Sequence, residues 1–175
     1  MQNKKDKFYL LVTCGLPGSG KTTFSRKFAK DKKFVHLNSH IIRKQLKLER
    51  AKGPERRLFT EMNKQALAFL KKGKSVIYDS TGATEDFRNS LKNLAQRHKT
   101  NFLILWFKAT LGESKQSVKK RNNSLDKFSG FVDEATIKEV KKIFENPRKN
   151  QETVILNNKM NYQEQKRLVN AALNR

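Results

Sequence analysis

Residues 8–23 read FYLLVTCGLPGSGKTT. An apolar run, Phe8 to Val12, leads through Thr13 and Cys14 into Gly15-Leu16-Pro17-Gly18-Ser19-Gly20-Lys21-Thr22. The spacing G-x-x-x-x-G-K-[ST] is the P-loop pattern, and it stands in the required setting of a strand before and a helix after. Gly15, Gly18 and Gly20 let the backbone turn tightly and bring its N–H groups close to phosphate oxygens. The helix that starts near Lys21 adds the positive end of its dipole. Lys21 is placed to reach the β- and γ-phosphates of ATP, and the Thr22 hydroxyl to ligate Mg²⁺. Ser19 and Thr23 complete the nucleotide-binding stretch.

Working outward, the rest of the chain alternates strand and helix patterns. Phe24 and Phe28 mark one face of a helix over 20–30. Phe34–Leu37 is a short strand, and Asn38-Ser39 caps a helix running from His40 to about Arg50. Gly53-Pro54 stops it and opens a helix over 54–72, whose apolar stripe is Leu58, Met62, Ala66, Phe69 and Leu70 and which ends at Gly73. Ser75–Asp79 is a strand ending in a carboxylate. Thr84 caps a helix to about His98 that turns Phe87, Leu91, Leu94 and Ala95 inward. Phe102–Phe107 is continuously apolar, as in a strand covered on both faces. A weak helix over 112–122 precedes a loop over 124–131. Asp133 caps a helix carrying Ile137, Val140, Ile143 and Phe144, ended by Asn146-Pro147. Val154–Leu156 is the last strand, and Asn161 with Glu164 opens a C-terminal helix. The pattern predicts an α/β, three-layer P-loop NTPase sandwich of kinase type over 1–175, with a central parallel sheet and a short lid over about 112–131.

Composition narrows the function classes. The 175 residues suffice for one domain with a core. Phe102–Phe107 is far too short to span a bilayer, so no membrane partner is expected. The basic start MQNKKDK lacks the apolar stretch of a secretory signal. Cys14 is the single cysteine, which excludes an intrachain disulfide and fits the cytoplasm. The net charge is +23, with a pI of about 10.3 and a mean hydropathy of −0.80. Such a surplus predicts attraction to RNA, DNA or nucleotides. The basic residues are spread along the chain, and Lys and Asn abound throughout, so compositional bias accounts for the charge equally well. The sequence does not reveal an oligomeric state.

Ligands of open α/β sheets sit beyond the carboxyl ends of the strands. Three stretches fall there: the P-loop, Asn38-Ser39-His40 with Arg43, and Asp79-Ser80-Thr81. Asp79 can hold the Mg²⁺ shell or orient an acceptor hydroxyl. Arg43 follows His40 by one helical turn and can hold a phosphate on the acceptor or on the transferring group. Lys119, Lys120 and Arg121 precede a loop, as in a lid that brings a cation to the transferring phosphate. A solvated basic face explains Lys119 and Lys120 as well. His36 and His98 read as structural or exposed.

GLPGSGKTT, NSHIIRK, VIYDST and KKRNNS, in that order and spacing, resemble the P-loop kinase domain of bacteriophage-type polynucleotide 5′-hydroxyl kinases and their small AAA-like ATP-binding relatives. Zeta-toxin-type kinases are more distant cousins. The resemblance covers about 8–147. It implies ATP and Mg²⁺ as donor and a hydroxyl acceptor, most naturally a polynucleotide 5′ end or a nucleotide-like molecule. By position it matches Lys21 and Thr22 to the P-loop pair, Arg43 to the acceptor-side arginine, Asp79 to the strand-end aspartate and Arg121 to the first lid arginine. Two positions depart from the family pattern. His40 stands where the family places an aspartate as general base, and Leu125 falls near the second lid arginine. An imidazole can take a proton, but it lacks a carboxylate's charge. His40 is therefore a substitute base, a residue for a different acceptor, or a mark of lost transfer. In the last case the chain is an ATP-binding module or a nucleic-acid-associated switch.

Overall fold

A computed structural model describes residues 7–48, 55–123, 130–148 and 152–175. Five strands form one sheet: β1 (Tyr9–Cys14), β2 (Val35–Asn38), β3 (Val76–Asp79), β4 (Asn101–Lys108) and β5 (Thr153–Asn157). Their order is β2-β3-β1-β4-β5, and every pairing is parallel. The helices are α1 (Lys21–Lys32), α2 (Ser39–Gln45), α3 (Arg56–Lys71), α4 (Glu85–Arg97), α5 (Leu111–Asn122), α6 (Glu134–Ile143) and α7 (Tyr162–Leu173). This is the α/β P-loop NTPase sandwich that the alternating pattern predicts.

The two faces of the sheet follow from strand alternation. Leu11, Ile77, Leu105 and Phe107 pack with Phe24 and Phe28 of α1 and Val169 of α7. Leu10, Val12, Val76 and Tyr78 pack with Leu58, Met62 and Ala66 of α3 and Leu91 and Ala95 of α4. Each large apolar side chain so buried stabilises the fold by about 1.5–3 kcal/mol relative to exposure. A third, small cluster of Val118, Val132 and Ile137 joins α5 to α6 beside the sheet. β1 is central and wholly buried, so its carboxyl end, where the phosphate loop begins, is anchored from both sides.

Several element boundaries differ from expectation. α2 stops at Gln45 rather than near Arg50: Lys47 takes a left-handed φ of 52°, and Leu48 N–H returns to the Arg43 carbonyl (3.1 Å). The Gly53-Pro54 stop lies outside the described residues, as do positions 124–129 of the predicted lid loop and with them Leu125. α6 ends before Asn146-Pro147, and Ile143 points outward at 57% exposure, so its apolar stripe is shorter than its sequence suggests. Among the described residues no helix is long and apolar enough to cross a membrane.

Candidate active site

The phosphate loop is fastened at its root. Thr13 Oγ1 donates to the Ser80 carbonyl (2.8 Å) and accepts from Ser80 N–H (3.1 Å), while Gly15 N–H donates to the Thr81 carbonyl (3.0 Å). The ends of β1 and β3 are thereby joined. Cys14 beside them has its thiol pushed up to about 11, chiefly by burial, and donates to the Gly82 carbonyl (3.3 Å). At the tip of the loop, the buried Ser114 of α5 donates its hydroxyl to the Pro17 carbonyl. Gly18 lies directly under that helix with φ 79°, and a Cβ there would stand 2.9 Å from the Ser114 carbonyl oxygen. Gly18→Ala should cost about 2–4 kcal/mol, combining overpacking with a left-handed backbone. Urea denaturation reads this directly, and an unchanged midpoint would show that α5 yields freely.

Gly20 caps α1 from outside, and a Cβ on it would meet nothing within 4 Å. Open space therefore faces the first turn of α1, where a phosphate group has room and free N–H donors. Lys21 folds back onto the loop: its Nζ donates to the carbonyls of Gly15 (2.9 Å) and Leu16 (2.8 Å). Burial lowers its pKa to about 8, Asp79 opposes the shift, and the Arg121 charge adds to it. An ammonium resting on two neutral carbonyls is one that phosphate oxygens can recruit.

Asp79 ends β3 and is almost fully buried. Its Oδ2 accepts from His36 Nε2 (2.9 Å) and Asn38 Nδ2 (2.8 Å). Burial alone would raise its pKa. The hydrogen bond and charge of His36, then Asn38 and Lys21, more than offset that and hold the carboxyl below the usual range. His36 thus makes a structural contact that holds Asp79, while His98 is exposed at the end of α4.

α2 is started by Asn38, whose Oδ1 accepts from Ile41 N–H (3.0 Å). That start places His40 and Arg43 on one face, one turn apart, and both line the cavity described next. Arg43 Nη2 pairs with Glu55 just before α3. Arg121, at the end of α5, donates to the Gly130 carbonyl (3.2 Å). Gly130 in turn sits against the His40 ring, where a Cβ would come within 2.6 Å of two ring atoms. The Gly130 backbone therefore packs closely against the imidazole. Lys119 and Lys120 point into solvent.

One cavity of about 320 Å³ takes in Gly18, Gly20, Lys21, Thr22, Thr23, His40, Arg43, Asp79 and Arg121. Gly15 and Ser19 belong to the loop but are not in the cavity wall, and Ser19 Oγ lies 3.4 Å from Lys21 Nζ. Three cations and a single carboxylate line it among the described residues, which suits a polyphosphate. Thr22 and Asp79 are oxygen donors there that could hold a nucleotide-borne Mg²⁺, an ion that keeps several waters and takes few protein ligands. Among the described residues no cluster of three or more His, Cys, Asp or Glu could hold a metal by itself.

Four side chains support the site, and of these sequence reasoning placed only Asn38 there, as a helix cap at a strand end. His36 and Asn38 bond Asp79, and Ser114 bonds the loop. The fourth is Arg88, whose buried Nη1 donates to the carbonyls of Gly82 (2.7 Å) and Ala83 (3.1 Å) behind β1. Of the other three, only Arg88 carried a signal, a cation on the apolar side of an amphipathic helix.

Solved structures share this architecture. Kti12 of Chaetomium thermophilum, in complex with ADP-AlF3, superposes with a TM-score of 0.76 at 16% identity, covering 94% of this chain and 97% of that one. The APS kinase CysC of Mycobacterium tuberculosis, with AMPPNP and APS, gives 0.71 at 14% identity over 97% and 99%. A chain of the Pnkp1/Rnl/Hen1 RNA repair complex gives 0.68 at 23% identity over 81% of this chain and 46% of its own. At these identities the likeness speaks for the fold alone. The sequence model described as AAA domain matches residues 10–147, from the second residue of β1 to the turn after α6. That span holds the phosphate loop, Asp79 and Arg121, and by it the chain belongs to the AAA-domain family of P-loop kinase-like proteins.

Proposed function

We propose that this protein transfers the γ-phosphoryl group of ATP to a hydroxyl, most naturally the 5′-hydroxyl of a polynucleotide or of a nucleotide-like acceptor. The observation that carries the reading is the single cavity joining Lys21, Thr22 and Arg121 to His40 and Arg43. Lys21 and the α1 N-terminus bind the β- and γ-phosphates. Arg121 offsets charge on the transferring group. The acceptor oxygen attacks the γ-phosphorus, the bond to the β–γ bridging oxygen breaks, and ADP leaves. The hydroxyl proton passes to His40, held by Gly130 on one side and followed by Arg43 one turn later. Bound through Thr22 and Asp79, Mg²⁺ would neutralise charge on the phosphates.

Purified protein, γ-labelled ATP and a panel of 5′-hydroxyl oligonucleotides, nucleosides and sugars test the reading. Label should appear at oligonucleotide 5′ ends. Label on sugars alone overturns the acceptor class, and none at all overturns the transferase. One observation favours a second reading, an ATP-binding module. Asp79 is the only carboxylate among the described lining residues and stands at the end of β3, so no second carboxylate among them takes the acceptor-side position that His40 occupies. Turnover separates the two readings, whereas ATP binding does not.

The charge of +23 supports nucleic acid as the partner. Binding to oligonucleotides should weaken with salt with a slope of about −0.7 per contacted phosphate on single strands, or about −0.9 on duplex. Affinity that is flat in salt would return the charge to compositional bias.

A further inference from the structure

We propose that His36 is a positioning residue for Asp79, committing one carboxylate oxygen to the protein so that the other is offered to the magnesium-bearing nucleotide. The proposal rests on the reading of the cavity as an ATP–magnesium site. Its ground is the register of the β2–β3 pair. Asn38 lies opposite Asp79 and His36 opposite Ile77, so His36 and Asn38 share a face two residues apart. Asn38 reaches Asp79 directly across. His36 must cross the diagonal, a span that a long or aromatic side chain covers and a short one does not.

Both donors end on Oδ2, at 2.9 and 2.8 Å. Among the described residues the remaining oxygen, Oδ1, has only a long contact from Thr13 Oγ1 (3.4 Å), whose proton goes to the nearer Ser80 carbonyl (2.8 Å). Oδ1 therefore keeps its acceptor capacity, and Asp79 lines the cavity. Two donors on one oxygen also fix the carboxylate plane, which Asn38 alone would leave free to turn. His36 itself is not in the cavity wall, so it acts through Asp79 and touches no ligand. Partners of this kind, bonded to a metal-associated carboxylate from behind, typically change metal affinity or activity by about 10–100-fold when removed.

The test compares His36→Leu with His36→Gln, whose amide donates from a similar reach. A fluorescent ATP analogue is titrated with Mg²⁺ and with EDTA, and the ratio of the two affinities is the magnesium gain. His36→Leu should lose about 10-fold or more of that gain while its affinity in EDTA stays at the wild-type value. His36→Gln should keep most of the gain. A leucine variant with the wild-type gain overturns the proposal, and so does a glutamine variant that falls as far as leucine. Equal weakening in EDTA also overturns it, because the residue would then support the fold alone. The readout needs no acceptor. A protein that shows the His36-dependent gain but labels no hydroxyl refutes the transferase and leaves the His36 assignment standing.

Discussion

Lys21→Met should reduce phosphoryl transfer by at least about 10³-fold, the upper range for removing one preorganised charge-stabilising donor. Methionine keeps the unbranched, flexible stem, so packing within the buried loop changes little. What is lost is the one cation seated inside the loop itself. That ammonium is held by the Gly15 and Leu16 carbonyls. Burial has brought its pKa down to about 8, against 10.5 for a free lysine. The sign of the linkage follows. Between those two values the unfolded chain holds a proton that the folded chain has released, so this group's contribution to stability rises with pH across the window. Phosphate binding favours the charged form, so just above pH 8 ATP should bind with uptake of a proton and lose affinity as pH rises further. Calorimetry in two buffers of different ionisation enthalpy measures that uptake. Wild-type protein should show it and Lys21→Met should not. Uptake that persists in the variant would place the titrating group elsewhere.

His40→Ala should lower turnover by about 10²-fold or more, within the range for a positioned acid–base group. ATP affinity should barely move, because the phosphates are gripped by the loop and α1. The wild-type rate should fall toward acid pH, where a charged imidazole has no lone pair for the acceptor proton. The imidazole packs against the Gly130 backbone, so the alanine variant also opens a gap beneath the lid. His40→Gln fills that gap without supplying a base and should be as slow as alanine. His40→Asp restores the carboxylate that the family pattern places here. If it raises activity above a silent wild type, the ATP-binding module is the correct reading. If His40→Ala matches wild type, His40 takes no proton.

The phosphate loop, the layers and the five strands were legible because each rests on local information. A motif of fixed spacing announces the loop, and runs such as Phe102–Phe107 announce strands covered on both faces. The co-location of His40, Arg43 and Asp79 followed from one topological rule about strand carboxyl ends, and Arg121 was added to them by the basic helix before a loop and by the family resemblance. His36 was illegible because its partner lies on another strand, two residues off the directly opposite position, and nothing along the chain records that diagonal. Glu55 was hidden similarly, since its pairing with Arg43 depends on how α2 and α3 meet. The early end of α2 turns on the single backbone angle of Lys47, at a residue with no special preference for it.

The place of β1 in the sheet bears on how the molecule is made. Its two neighbours are β3, beginning 67 residues after its own first residue, and β4, beginning 92 residues after it. No strand adjacent in sequence pairs with it. During synthesis from the amino end, β1 has both edges bare until Val76–Tyr78 and then Asn101–Trp106 have left the ribosome. Pairings of such long range are slow to close because chain entropy must be spent before contacts form. The nucleotide loop, though encoded near the start of the chain, is therefore among the last parts to acquire its shape.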